Sequence, residues 1–135
     1  MSDYDWSLQQ AVHTAISDAS ISDVVDVVDH KKNDPKDRDF AYVQIGDSDA
    51  IPDDVSCANG KEVFFDLHTW ARGRRGKKKV TLIMSALHSA LHNQTLTVAG
   101  LASCHAFVTF ERKFDDPDGI TLHGVTTLKL LCRED

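Results

Sequence analysis

Residues 61–92 read KEVFFDLHTWARGRRGKKKVTLIMSALHSALH and carry the strongest structural signals in the chain. Residues 61–70 predict a strand, because their side chains alternate between two faces and aromatic rings occur on both. Residues 80–92 predict a helix, because apolar residues recur at intervals of three and four positions. Between them lies a strongly basic segment. A strand followed by an amphipathic helix indicates that the helix covers one face of a sheet.

The rest of the chain supplies one more helix and three more strands. A stripe beginning at Leu8 and ending at Ala19 predicts an N-terminal helix. Residues 40–45 predict a strand, after which Gly46 is expected to begin a polar loop. Residues 104–110 and 120–132 predict a hairpin around the turn at residues 115–119. The sequence therefore predicts a single α+β domain over residues 1–135, a mainly antiparallel four-stranded sheet with both helices on one face, in the order α-β-β-α-β-β.

The alternation also predicts which side chains share a face. In the strand at 61–70, Val63, Phe65 and Leu67 should lie on one face, with His68 and Trp70 among those on the other. Because aromatic rings occupy both faces, we expect the second face to be covered at least in part, for example by a subunit interface. In the hairpin, Ala106, Val108 and Phe110 are expected to share one face.

Composition and length limit the class of protein. The chain has 135 residues, a net charge of −6 and three cysteines without CxxC spacing, a pattern typical of reduced thiols. It contains no apolar run long enough to span a membrane. Its acidic start differs from a signal peptide, so we expect synthesis in the cytoplasm. The sequence accordingly predicts a protein that has no membrane partner.

A search of the sequence for catalytic and ligand-binding motifs finds no convincing candidate. The chain lacks a phosphate-binding P-loop, a dinucleotide fingerprint and a nucleophile elbow. His88 and His92 have the spacing of a zinc pair, but Glu does not follow His88, so we interpret both as structural. His105 and His123 lie on the two hairpin arms and are expected to face each other. We therefore expect no catalytic residue, no cofactor and no metal site, and predict that the protein is not an enzyme.

Charge is distributed very unevenly along the chain. Residues 1–54 contain thirteen acidic and four basic residues, whereas residues 55–80 contain two acidic and seven basic ones. The candidate interaction residues are Trp70, Arg72, Arg74, Arg75, Lys77, Lys78 and Lys79. Their segment can be a solvated loop, a protein interface or a surface that faces nucleic acid. The three lysines should lie in the first turn of the helix, where cations oppose the helix dipole, so local stability does not explain them.

Several segments in order along the chain resemble one known family. They are the N-terminal helix with Leu8-Gln9-Gln10-Ala11-Val12, the strand Phe40-Ala41-Tyr42-Val43-Gln44-Ile45-Gly46, the strand Phe64-Phe65-Asp66-Leu67-His68-Thr69-Trp70, the helix at 80–91, Leu96, and a hairpin with Gly119, His123 and Gly124. This order over about residues 8–132 resembles the tail terminator, or tail-completion, proteins of long-tailed bacteriophages and phage-like gene transfer agents. The family often has proline at the position of Ala41, and the basic loop here is more basic than expected.

The resemblance implies a structural virion-assembly protein. It implies a hexameric homo-oligomeric ring that caps the major tail tube protein and docks to head-completion or connector proteins, with DNA passing transiently through the channel. The protein would be assembled in the bacterial cytoplasm and end in the neck or tail of the particle. The acidic segments at 29–39 and 47–54 are candidate docking surfaces. Two other hypotheses remain, a small nucleic-acid-binding module using residues 72–79 and a metal-dependent or thiol enzyme.

Overall fold

The computed structural model describes residues 5–19, 27–28, 40–52, 60–72, 76–115 and 121–134. The elements follow the chain as α1 (Asp5–Asp18), β1 (Val27–Val28), β2 (Phe40–Pro52), β3 (Gly60–Arg72), α2 (Gly76–Leu91), β4 (Gln94–Thr95), β5 (Leu101–Asp115) and β6 (Thr121–Glu134). The predicted α+β class and the two helices are confirmed. Within the described ranges, no helix has the length and apolar character needed to cross a membrane.

The strands form one sheet in the order β1-β2-β3-β6-β5-β4. Five of these strands pair antiparallel, and the short β1 joins the edge of β2 in parallel. The predicted four-stranded sheet is therefore too small. The four long strands are those that the alternation predicts, and the additional β1 and β4 have two residues each. Segments of two residues are too short to show an alternating pattern, which is why sequence periodicity misses them.

Both helices contribute to one apolar core on a single face of the sheet. Leu8, Val12 and Ile16 of α1 are buried, and so are the apolar residues of the α2 stripe. They share a cluster with Val63 and Leu67 of β3. The predicted faces of β3 are thus confirmed, because the buried positions alternate along the strand. Helix α2 lies over the centre of the sheet, where Gly124 of β6 leaves room for Met84 and Val80.

The second strand is longer than predicted. Residues 47–52 continue β2, and residues 48–52 pair with residues 61–65 of β3, so the polar loop expected after Gly46 is wrong for this part of the chain. The register shifts between Ile45 and Ser48, which marks a β-bulge. Backbone hydrogen bonds across β3 hold this polar segment in the sheet, although its composition is typical of a loop. Residues 53–54, 57 and 29–39 lie outside the described residues.

A second bulge changes the predicted face of one aromatic residue. The register of β5 shifts between Val108 and Phe110. Ala106 and Val108 face the core as predicted, but Phe110 is 57% exposed. One extra residue in a strand reverses the side on which all later side chains lie. The prediction that all three residues share a face is therefore wrong for Phe110.

Gly46 has a clear role at the bulge of β2. A Cβ atom added to Gly46 would lie 2.8 Å from the backbone oxygen of Asp66 and 2.6 Å from a ring carbon of His68. The backbone oxygen cannot move without disturbing the pairing of β2 with β3. By contrast, a Cβ on Gly76 would meet Leu122 at 3.5 Å, which is an ordinary contact.

We therefore predict that Gly46→Ala lowers the free energy of unfolding by about 1 to 3 kcal/mol, the usual cost of overpacking. Chemical denaturation followed by circular dichroism measures the change. Gly76→Ala is the matched control, and it should leave stability almost unchanged. Equal stabilities for the two variants would contradict the close approach at Gly46.

Candidate interaction surfaces

The face of the sheet opposite the helices carries a cluster of rings, which we call the aromatic face. Its members are Tyr42, His68, Trp70, Phe114 and His123. Trp70 and His123 stack with ring centroids 3.6 Å apart and planes inclined by 16°. Tyr42 and Trp70 are buried. The cluster forms because the paired strands place Tyr42, Trp70, His123 and Phe114 side by side across four strands.

A hydrogen bond between two imidazoles completes the aromatic face. Nδ1 of His68 lies 2.7 Å from Nε2 of His123, so one ring nitrogen donates and the other accepts. Burial lowers the pKa of His68 below its ordinary value, and the carboxylates of Asp66 and Asp47 oppose this effect without cancelling it. A neutral ring is therefore favoured, and it can accept or donate within the pair.

The other half of this face is polar. Asp66 accepts a hydrogen bond from the Thr127 hydroxyl at 3.1 Å. Lys129 lies 3.7 Å from Glu62. Asp66 thus has a polar partner on the neighbouring strand β6. These contacts tie β3 to β6 on the side away from the helices.

The basic residues form a surface at one end of the sheet. Residues 77–79 lie in the first turn of α2, as predicted, and Lys77 and Lys78 are exposed. Arg72 lies at the end of β3, where its Nε donates to the Thr121 hydroxyl at 2.9 Å. Arg72 and residues 77–79 therefore belong to a strand and a helix, whereas Gly73, Arg74 and Arg75 lie outside the described residues.

One further cation joins this surface from β5. The side chain of Lys113 donates to Thr81 of α2 at 3.3 Å and shares a cleft with Lys77. The neighbouring Arg112 lies on the other face of the sheet, where its guanidinium is 5.2 Å from the centre of the Phe114 ring. We call the surface of Arg72, Lys77, Lys78, Lys79 and Lys113 the basic surface. The sequence separates Lys113 from the other four by more than thirty positions, so only the sheet topology brings it to them.

Trp70 lies beside this surface but is mainly a packing residue in the single chain. Its side chain is 9% exposed and its ring is stacked on His123. Its predicted part in binding a partner stays a prediction.

His88, His92 and His105 have structural contacts. The rings of His88 and His92 stack 4.6 Å apart, and Nδ1 of His92 accepts from the backbone N–H of Val108 at 3.0 Å. His105 lies 2.8 Å from Asn93 Oδ1. His105 is opposite Leu131, so the expectation that His105 faces His123 is wrong. The bulge and the register of the hairpin decide which residues are opposite each other. These partners cannot be predicted by counting residues along each arm of the hairpin.

Two cysteines also pack against each other in the core. The sulfur atoms of Cys104 and Cys132 lie 3.7 Å apart, and both thiols are free and buried. Their mutual hydrogen bond and burial raise the pKa of Cys104, which keeps the thiol protonated. Among the described residues, no group of three potential metal ligands comes together.

The described residues form a small α+β fold with an aromatic face on one side of its sheet and a basic surface at one end. Residues 10–132 match the model of the family described as tail completion protein gp17. The chain therefore belongs to this family of structural phage tail proteins. It is also similar to a chain in a solved structure described as the virion of a native gene transfer agent particle, with a TM-score of 0.77 and 13% identity over 98% of this chain and 99% of that one. That likeness concerns the fold. Comparison with curated proteins gives no match.

The histidine pair leads to a pH prediction. The unfolded chain protonates His68 near pH 6.5, whereas the folded chain resists protonation because the pKa of His68 is lowered. As the pH falls below about 6.5, the unfolded chain thus binds more protons and folding stability decreases. We predict a steeper loss of melting temperature between pH 7.5 and 5.5 in the wild type than in His68→Gln. Parallel curves for the two proteins would contradict a lowered pKa.

Proposed function

We propose that this chain is a tail terminator subunit. It forms a ring, hexameric as the resemblance implies, that caps the completed tail tube and joins it to the connector proteins of the head. DNA passes through the ring during delivery. The subunit is made in the bacterial cytoplasm and ends in the neck of the particle. The observation that carries this proposal is the family match over residues 10–132.

The charge distribution supports a role in ordered assembly. The basic surface lies at the end of the sheet marked by Arg72 and Thr121. Asp47 and Asp49 lie on β2, the strand at the other side of the sheet from β5. Opposite charges on separate parts of one subunit steer copies and partners into a defined orientation. Such steering favours the ordered assembly of identical subunits.

The basic surface has two candidate targets within this function. One is an acidic surface of the tube or the connector, and the other is the phosphate backbone of DNA in the channel. Both require exposed cations, and Lys77 and Lys78 meet this condition. The first target depends on matched protein surfaces, whereas the second needs only positive charge.

We predict that Lys77→Glu combined with Lys78→Glu abolishes the formation of mature particles, because two cations at the centre of the basic surface are replaced by anions. Particle yield after complementation of a gene-deletion strain measures the effect. Lys61→Glu combined with Arg133→Glu is the control, since it changes net charge equally at the opposite end of the sheet. A normal yield from the first variant would remove the basic surface from the proposal.

Tube binding tests the proposed function directly. We expect the purified chain to bind one end of tubes assembled from the tube protein of the same particle and to stop their elongation. Electron microscopy of mixtures gives both the position of the added density and the length of the tubes. Binding along the sides of tubes, or continued growth at both ends, would contradict the proposal.

The basic surface also favours a second candidate function, a nucleic-acid-binding module. In that case the chain would bind DNA fragments tightly without tubes, and the affinity would fall steeply with salt. The terminator proposal instead expects only weak DNA binding by the free subunit. A gel shift over a range of salt concentrations, together with the mass from light scattering, separates the two candidates.

A further inference from the structure

The sheet has one partly open edge at β2. Strand β1 covers this edge only at Val43 and Gln44. Among the described residues, the following segment at 47–52 pairs with β3 alone, and each of its side chains is exposed. Ile51 is 52% exposed, a high value for a large apolar residue in a strand. This segment therefore offers a row of backbone groups on the side away from β3.

The opposite edge of the sheet is also partly open. Strand β4 covers β5 at His105 and Ala106, and the ring of His92 binds the N–H of Val108. Beyond this point, residues 109–115 pair with β6 alone within the described ranges. Residues 109–113 are all exposed. Each edge thus has an open segment of similar length.

The two open segments are complementary in one register. Asp49 is opposite Phe64, and Arg112 is opposite Val125, which places both side chains on the aromatic face. Ile51 and Phe110 lie two residues away on that same face. If β2 of one copy runs antiparallel to β5 of the next with Asp49 opposite Arg112, then Ile51 is opposite Phe110. An ion pair and an apolar pair then form together.

Direction and length fit the same register. The strands β2, β3, β6 and β5 alternate in direction, so β2 of a second copy beside β5 continues the antiparallel pattern. Pro52 then lies opposite Thr109, the first residue of β5 after the part of its edge that β4 and His92 contact. Gly46 lies opposite Asp115, the last residue of β5. The open segments therefore match from end to end.

We propose that copies of this chain join through these edges, with β2 of one copy pairing with β5 of the next at Asp49–Arg112 and Ile51–Phe110. The inference rests on the proposed ring and specifies its contact. Each copy contributes one edge of each kind, so the contact is head-to-tail and can close. The register displaces neighbouring copies along the strands by about four residues, and closed sheets require a stagger of this type.

Disulfide trapping tests this register. In Ile51→Cys combined with Phe110→Cys, both new thiols are exposed in the single chain and lie at opposite edges of the sheet, so they cannot join within one copy. We expect mild oxidation of the variant in the presence of tail tubes to give a ladder of covalent oligomers on non-reducing gels. Each single variant should stop at dimers, and the wild type should show the background from native cysteines.

A missing ladder would overturn the inference. Electron microscopy of the same sample scores tube capping separately, so a variant that caps tubes without cross-linking contradicts the edge contact and leaves the proposed function standing. A variant that cross-links without capping supports the edge contact and contradicts the proposed function. Circular dichroism verifies that the variant is folded.

Charge exchange gives an independent measure. We expect Arg112→Asp to lower the yield of the trapped ladder at least about tenfold, because two acidic residues then face each other. Adding Asp49→Arg should restore it. Asp18→Arg, an exposed change on α1 and outside both paired strands, is the control matched to Asp49→Arg. If Arg112→Asp has no effect, or the exchange fails to restore the ladder, this register is wrong.

Discussion

The pairing of β3 with β6 is the constraint on which the rest of the structure depends. It runs without a break from Gly60 opposite Arg133 to Arg72 opposite Thr121. One face of this pair holds the core beneath both helices, and Gly124 lets α2 approach closely. The other face holds the aromatic cluster. Because β3 and β6 occupy the centre of the sheet, β2 and β5 lie on either side of them. Among the described residues, parts of the outer edges of β2 and β5 are exposed.

The sequence alone predicts the elements in which apolar residues repeat with a regular period. The stripe of α1 from Leu8 to Ile16, the stripe of α2 and the two faces of β3 are as predicted, since each repeats over many residues. The predicted end of the α1 stripe at Ala19 is wrong, because α1 ends at Asp18 and Ala19 is exposed. The failures have a physical cause in each case. The bulge after Val108 reverses the face of Phe110. The polar residues 47–52 are held in β2 by backbone bonds that composition does not reveal. The sequence predicts only part of the basic surface, because Lys113 joins it only through the fold.

In the ring that we propose, the two edges and the basic surface contribute differently to assembly. Edges with matching backbone and side-chain patterns give copies a fixed orientation, which a closed assembly needs. The basic surface lies at one end of the sheet and is built from a helix start and two strand ends. In the ring that we propose, it gives the assembly a polarity, since the two ends of the ring then carry different charges. A protein placed between a tube and a connector has two unlike neighbours, and such polarity distinguishes them.

We propose that this chain forms a closed ring in the neck of a particle, with a continuous sheet from copy to copy. An electron cryo-microscopy map of the neck, at a resolution that traces strands, is the most direct test. We predict a ring of this chain on the last ring of the tube, with β2 of each copy beside β5 of the next. A map in which the chain is absent from the neck, or in which copies meet only through their helices, would contradict this claim.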